Sequence, residues 1–294
     1  MRRIVYLLML LGMFSCYEEA DIHVDDLEAR YNLEDDPSDP VQHYIYEFYQ
    51  QYRTIILTKP TIYDYKFNFS QKNRIDITAP EQDKDLLYEG IQFIEDVFID
   101  IYTPEFRKRY FPMLIIMADT IRDAGWGSTE QRNSVSSTNF VAIGNIRKGF
   151  VSSLTSDEIV KMRADINGSF WADYMMKAKG WYTVDSAFYK VSADDYGKVV
   201  IGMFDDTTLD EIDFYEMGFI SYDPEASWIE PGFTQVQNPR EETDLSQWMR
   251  FIFEKTPAEM EEICAKYPKM KQKYEVLREG ILAACDFDIG KIGH

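Results

Sequence analysis

Catalysis near neutral pH usually draws on histidine, a thiol or paired carboxylates, and this sequence is poor in the first two. Its 294 residues hold three histidines, His23, His43 and His294. His43 is followed four residues later by Glu47. On a helix that spacing puts both side chains on one face, where they could offer a metal two donors or form a surface ion pair. No serine or cysteine is set beside His43 by spacing, so a Ser-His or Cys-His nucleophile has no support. The three cysteines, Cys16, Cys264 and Cys285, lack metal-ligand spacing. The last two stand 21 residues apart and could pair in an oxidising compartment or remain thiols. The 51 acidic residues are too many for a glycosidase pair to be singled out. Aromatic residues make up 15% of the chain. Trp126, Trp228 and Phe233 fall in expected loops, where they could stack on a sugar or simply cover the core.

The opening residues, MRRIVYLLMLLGMFSC, carry chemistry of another kind. Arg2 and Arg3 precede an apolar run of 11 residues, Ile4 to Phe14. That is too short to span a bilayer, which needs about 20 residues. It has the proportions of a secretory leader. Ser15-Cys16 closes it in the manner of a bacterial lipoprotein signal, so residues 1–15 are expected to be removed and Cys16 lipidated. Residues 16–39 are acidic and lack apolar periodicity, which predicts a solvated tether. Glu18 and Glu19, just after the cysteine, resemble signals that send lipoproteins to the outer face of the outer membrane. Without Arg2 and Arg3, 29 basic residues face 51 acidic ones, a net charge of about -22. Such a surface repels phosphate backbones and excludes nucleic-acid binding.

The remaining body, residues 40–294, must supply the scaffold. PVQHYIYEFYQQYRTIIL, from Pro40, places Val41, Tyr44, Ile45, Phe48, Tyr52 and Ile55 at helical spacing. Lys59 to Phe69 is aromatic and β-rich. DKDLLYEGIQFIEDVFIDIY predicts a second helix. MLIIMAD after Pro112 and Asn139 to Ile146 predict neighbouring strands, joined by a loop over Arg122 to Ser137. Thr155 and Glu158 form a capping box for a central helix over Asp157 to Lys179. Ile159, Met162, Ile166 and Phe170 should be its buried face, and Gly180 its C-cap. Leu209 to Met217 predicts a short helix, Gly218 to Gln237 an aromatic loop, and 241–254, 257–268 and 270–284 three more helices.

This order resembles the substrate import-associated zinc metallohydrolase lipoproteins, a zinc-binding metallopeptidase family. The resemblance runs through DPSDPVQHYIYEFYQQY, YDYKFNF, PMLIIMAD, NFVAIGN, the central helix ADINGSFWADYMM, GFISYDPEAS and the tail KYPKMKQKYEVLREGILAACDFDI. It implies an α+β, zincin-like fold with a central former active-site helix, a small sheet and a helical C-terminal lobe after about residue 180.

In that family the central helix carries His-Glu-Phe-x-His. Two histidines one turn apart hold zinc, and the glutamate acts as general base on the zinc-bound water. Alignment on Phe170 puts Gly168 and Ala172 at the histidine positions and Ser169 at the glutamate, with Asn167 replacing a further histidine. The third-ligand segment aligns with Asp244-Leu245-Ser246-Gln247, so its acid reads Gln247; another register would retain Glu241 or Glu242. Gly and Ala have no donor atoms, and a serine hydroxyl is neither a good zinc ligand nor a base near pH 7. The resemblance therefore implies a zinc-hydrolase fold that has lost its zinc, with no catalytic residue and no cofactor. Trp171 would fill the metal's volume or, with Trp228 and Phe233, touch a ligand. The expected role is binding at the outer surface of the outer membrane, held by the lipid on Cys16, beside a nutrient importer complex or its peptide or glycan cargo. An active zinc peptidase with atypical ligands and a glycan-binding lipoprotein are the alternatives.

Overall fold

The computed structural model describes residues 30–66, 75–123, 131–203, 205–230 and 233–292. Cys16, His23, Trp126, His294 and the expected leader lie outside them. The chain divides into two units, Met1–Asp35 and Asp36–His294. In the first unit only residues 30–35 are described. Everything that follows concerns the second.

Helix α1 (Pro40–Tyr52) starts where Asp39 accepts hydrogen bonds from the Val41 and Gln42 amides, with Pro40 in the first turn. It stops at Arg53, which takes a left-handed conformation (φ 58°). The helix expected to run on to Leu57 thus gives way to strand β1 (Ile55–Leu57). There Ile55 and Ile56 are buried and pair in parallel with β3 (Leu114–Met117). Helix α2 (Ile62–Tyr65) replaces part of the β structure expected after Lys59. The Asp64 carboxylate caps it by accepting from Thr61 Oγ1 and the Thr61 amide, both at 2.7 Å. That local bonding outweighs the β preference of Ile62 and Tyr63. Strand β2 (Ile75–Thr78) pairs antiparallel with β4 (Thr120–Asp123).

Helix α3 (Lys84–Val97) begins at the cap Asp83 and buries Leu86, Ile91, Ile94 and Val97. Helix α4 (Pro104–Tyr110) follows. The main sheet has the order β1-β3-β6-β5, with β6 (Phe140–Ile143) parallel to β3 and the edge strand β5 (Ser134–Ser136) antiparallel to β6. All eight residues of β3 and β6 are buried. A parallel sheet covered on both faces needs such continuous apolar runs. The end of β4, Arg122 and Asp123, and all of β5 fall in the stretch expected to be a loop. β5 reads Ser-Val-Ser, and its strand form comes from the ladder that β6 offers rather than from apolar patterning.

The central helix α5 (Ser156–Ser169) opens with the expected box. Thr155 N–H donates to Glu158 Oε2 at 2.9 Å, and the Glu158 amide donates to Thr155 Oγ1 at 3.3 Å. Met162, Ile166 and Phe170 are buried, while Ile159 in the first turns is half-buried. From Phe170 to Ala178 the helix is π-helical, with Lys179 N–H reaching back to Tyr174 O. Gly180, at φ +63°, ends it, as the sequence predicted.

The body after residue 180 is not purely helical. Helix α6 (Ser186–Lys190) precedes a three-stranded sheet of order β7-β9-β8, formed by β7 (Val199–Ile201), β8 (Trp228–Glu230) and β9 (Phe233–Gln237). The last two were expected to be loop. Two 3₁₀ turns, Leu209–Glu211 and Phe214–Met217, stand where one short helix was expected. Three helices close the chain: α7 (Glu241–Glu254), α8 (Pro257–Lys266) and α9 (Pro268–Cys285). Cys264 is half-buried, Cys285 is buried, and both are free thiols. Among the described residues no helix is long and apolar enough to cross a membrane.

Candidate functional site

The two faces of α5 near Gly168 are built differently. On one face Asn167 and Trp171, a turn apart, are fully buried and share Tyr102. Tyr102 Oη donates to Asn167 Oδ1 at 2.8 Å, and Trp171 Nε1 donates to Tyr102 Oη at 3.1 Å. Asn167 Nδ2 also donates to the carbonyls of Val97 and Arg163. Every polar atom of this trio has a partner, the condition for burying it at low cost. Trp171 packs against Phe106, Phe170 and Phe287. It is therefore a core residue, and the expected ligand contact at Trp171 is corrected by its burial.

On the other face Gly168 meets α7. A Cβ added at Gly168 would lie 2.4 Å from Arg250 Cγ, 3.0 Å from its Cα and 3.1 Å from its amide nitrogen. Only glycine permits that approach. The crossing is tied by Arg250 Nη1 to Asp165 Oδ1 at 3.2 Å. Ser169 donates to Ser136 Oγ on β5 at 2.9 Å, and its hydroxyl lies 3.4 Å from Asp173 Oδ2.

The residues present do not fit zinc. The space an imidazole would need at position 168 is taken by the backbone of α7, Ala172 brings no donor, and the Ser169 hydroxyl is engaged. Among the described residues no group of three His, Cys, Asp or Glu is placed to hold a metal ion. His43 Nε2 lies 3.5 Å from Glu47 Oε1 at the surface.

Beside Gly168, between the π-helical segment and α7, lies a cleft of about 800 Å³. Ala172, Asp173, Met176 and Lys177 of the π-helical segment line one side, and Thr243 and Gln247 of α7 the other. Tyr182 and Tyr189 form part of its wall. Three cations border it, each facing an acid. Lys177 pairs with Glu242 at 2.9 Å, and Arg240 pairs with Asp223 at 3.0 Å and Glu225 at 3.2 Å. Arg250 pairs with Asp165. Removal from water pushes the Asp173 carboxyl up, against the opposing pull of Lys177, Ser169, Arg250 and Arg132. Gln247 donates Nε2 to the Tyr222 carbonyl at 2.8 Å, which fixes its amide orientation. Its Oε1 is buried and accepts no hydrogen bond from the protein.

Behind α7 lies a charged cluster that the sequence reading missed. Asp244 and Lys273, both 0% exposed, form an ion pair of 2.6 Å that joins α7 to α9. Tyr196 Oη donates to the same carboxylate oxygen at 2.6 Å. The Lys273 ammonium lies 4.7 Å from the ring centres of both Phe188 and Phe219. Burial pushes the Asp244 carboxyl up to about 6, against Lys273 and Tyr196, and pulls Lys273 down. Asp244 Oδ1 has no partner. A signal was available, because Lys273 interrupts the apolar stripe Met270, Leu277 and Ile281 at spacings of three and four.

Of the remaining candidates, Glu241 is exposed near the start of α7 and Glu242 is held by Lys177. Trp228 is 58% exposed on β8. Phe233 opens β9, and its side chain lies outside what is described.

No protein-family model matches the sequence, and no curated protein matches it. A solved structure does, that of "a putative zinc-binding metallo-peptidase" from Bacteroides caccae ATCC 43185. The similarity has a TM-score of 0.52 at 12% identity, over 88% of this chain and 92% of that one. The two share an α+β, metallopeptidase-like fold.

Proposed function

We propose that this chain is a lipoprotein of the outer membrane's outer face that uses a metallopeptidase-like fold to bind rather than to hydrolyse, as an accessory to nutrient import. The carrying observation is the contact of Gly168 with the Arg250 backbone. It fills the place that the resemblance would give to a first metal ligand, while the cleft beside Ala172 stays open. A working zinc centre needs three protein donors and a position for water, and the aligned residues supply neither histidine nor glutamate. The family resemblance and the Ser15-Cys16 junction support the membrane and import parts of the reading.

Two measurements test it. Cys16→Ala should move the protein from the membrane fraction to the soluble one, since acyl chains on Cys16 are the anchor this reading requires. Purified protein given one equivalent of zinc should cleave a mixed peptide library no faster than buffer. Zinc-dependent turnover contradicts the non-catalytic reading, and unchanged membrane partition of Cys16→Ala contradicts the anchor.

A further inference from the structure

At one end of the described body, cations without acids gather around exposed rings. Arg53 ends α1, Lys108 and Arg109 fall in the last turn of α4, and Lys179 ends the π-helical segment. All four are exposed, and among the described residues none of them forms an ion pair. The cations at the cleft, by contrast, each face an acid. What three of the four touch instead is an aromatic ring. Arg53 lies 5.2 Å from the Tyr49 ring centre, Arg109 5.1 Å from that of Tyr110, and Lys179 5.3 Å from that of Tyr174.

The rings join these elements into one surface. Trp181 meets Tyr110 edge-on at 5.2 Å and Tyr174 edge-on at 5.6 Å, with the Lys179 ammonium 5.6 Å from the Trp181 ring centre. The two tyrosines are held from behind. Tyr174 Oη donates to the Phe111 carbonyl and Tyr110 Oη to that of Ala284, each at 3.3 Å. Thr54 Oγ1 donates to the Pro112 carbonyl at 2.8 Å, which brings Arg53 to the end of α4. Trp181 stays 36% exposed, and among the described residues its indole N–H donates to nothing. Glu105, one turn before Arg109, and Asp286, at the end of α9, are acids at the border of this surface.

We propose that this face rests on the headgroups of an anionic bilayer, with Arg53, Lys108, Arg109 and Lys179 at the phosphates and Trp181 at the interface. This placement rests on the reading of Cys16 as the anchor and says how the body then lies. Two features favour a bilayer. Basic side chains beside an amphipathic ring with a free N–H match the phosphate and carbonyl layer of a membrane surface. The chain's net charge is -20, so anionic lipid repels most of its surface and admits a face whose cations are unmatched. The tether does not hold this face away. Residues 16–39 reach about 80 Å when extended, and α1 covers only about 20 Å between Asp39 and Arg53.

The test uses the chain from Tyr17 onward, which carries no acyl group. It is sedimented with vesicles of phosphatidylcholine alone or of an equal mixture with phosphatidylglycerol. It should bind the anionic vesicles at least tenfold more tightly, and lose that preference in 1 M salt, where the screening length is about 3 Å. Arg109→Glu with Lys179→Glu should weaken anionic binding at least tenfold, and Trp181→Ala at least threefold. Lys161→Glu makes the same charge change on α5, about 25 Å from Lys179 along the helix, and should leave binding within twofold. Melting temperatures check that each variant is folded, and Arg109→Gln with Lys179→Gln replaces the double reversal if that one is not. Equal binding to the two kinds of vesicle overturns the proposal, as does a Lys161→Glu loss as large as that of the double variant. So does the absence of binding to either vesicle. None of these outcomes touches the anchor, because the protein used carries no lipid; fractionation of Cys16→Ala tests that separately.

Discussion

Asn167 and Trp171 stand a turn apart on one face of the central helix, and Gly168 and Ala172 a turn apart on the next. The first face is closed and neutral. Its polar atoms are all paired, and its rings interlock with Tyr102, Phe106 and Phe287. The second is half closed by α7 and half open as a cleft bordered by charge. A fold held by its first face can vary the residues of its second and still fold, because the two faces have separate energetic roles. The π-helical stretch from Phe170 to Ala178 belongs to both, and such widened turns recur at functional positions.

The largest expected effect is at the closed face. Trp171→Ala should lower unfolding free energy by about 3–5 kcal/mol in urea denaturation, since it opens a cavity and removes the Tyr102 donor. Ala172→Ser, one residue on but facing the cleft, should change it by less than about 1 kcal/mol. Equal losses would erase the distinction between the faces.

Nearly as large is the effect of breaking the charged cluster behind α7. Lys273→Met leaves Asp244 buried without its cation and should cost about 3–5 kcal/mol. The double variant Asp244→Leu, Lys273→Met should recover most of that, because the penalty is an orphaned charge rather than lost packing. A double variant no better than the single one would mean that the pair contributes net attraction.

The cluster also predicts a pH dependence. An aspartate near 3.8 in the unfolded chain and about 6 in the folded one binds more protons when folded between those values. Its stabilising contribution is full below about pH 4 and is lost as pH rises through about 6, on the order of 1–3 kcal/mol. The difference in urea midpoint between the wild type and Asp244→Asn, followed across that window, should carry this slope. A flat difference would place the Asp244 titration elsewhere.

Gly168→Ala sharpens the comparison at the crossing of α5 and α7. Its Cβ has no room, so a loss of about 1–3 kcal/mol is expected. A neutral or stabilising result, as the helix preference of alanine alone would give, would show that the helices are not held in contact there.

Much of the closed face was legible in the sequence. Met162, Ile166 and Phe170 follow helical spacing, and Thr155 with Glu158 marks the start of the helix. MLIIMAD and NFVAIGNI read as buried strands because continuous apolar runs of that length have little else to form. Strand β5 was not legible, since Ser-Val-Ser has no pattern of its own. The antiparallel pairing of β8 with β9 was hidden by the aromatic loop character of its surroundings. At the candidate site the residue types at 168, 169 and 172, none of them a good zinc donor, are plain in the sequence. The reason for a glycine at 168 is not, because it lies in the Arg250 backbone 82 positions away.

The most direct test of the central claim is the zinc content of the purified chain from Tyr17 onward, taken with its melting temperature in chelator. A fold whose first metal position is filled by a helix crossing should carry far less than one zinc per chain and melt at the same temperature with and without chelator. A resident metal at a thousandfold excess over its dissociation constant adds about 4 kcal/mol. In a domain of this size its removal would lower the melting temperature by about 10 °C. One zinc per chain, with a fall of that size in chelator, would contradict the account.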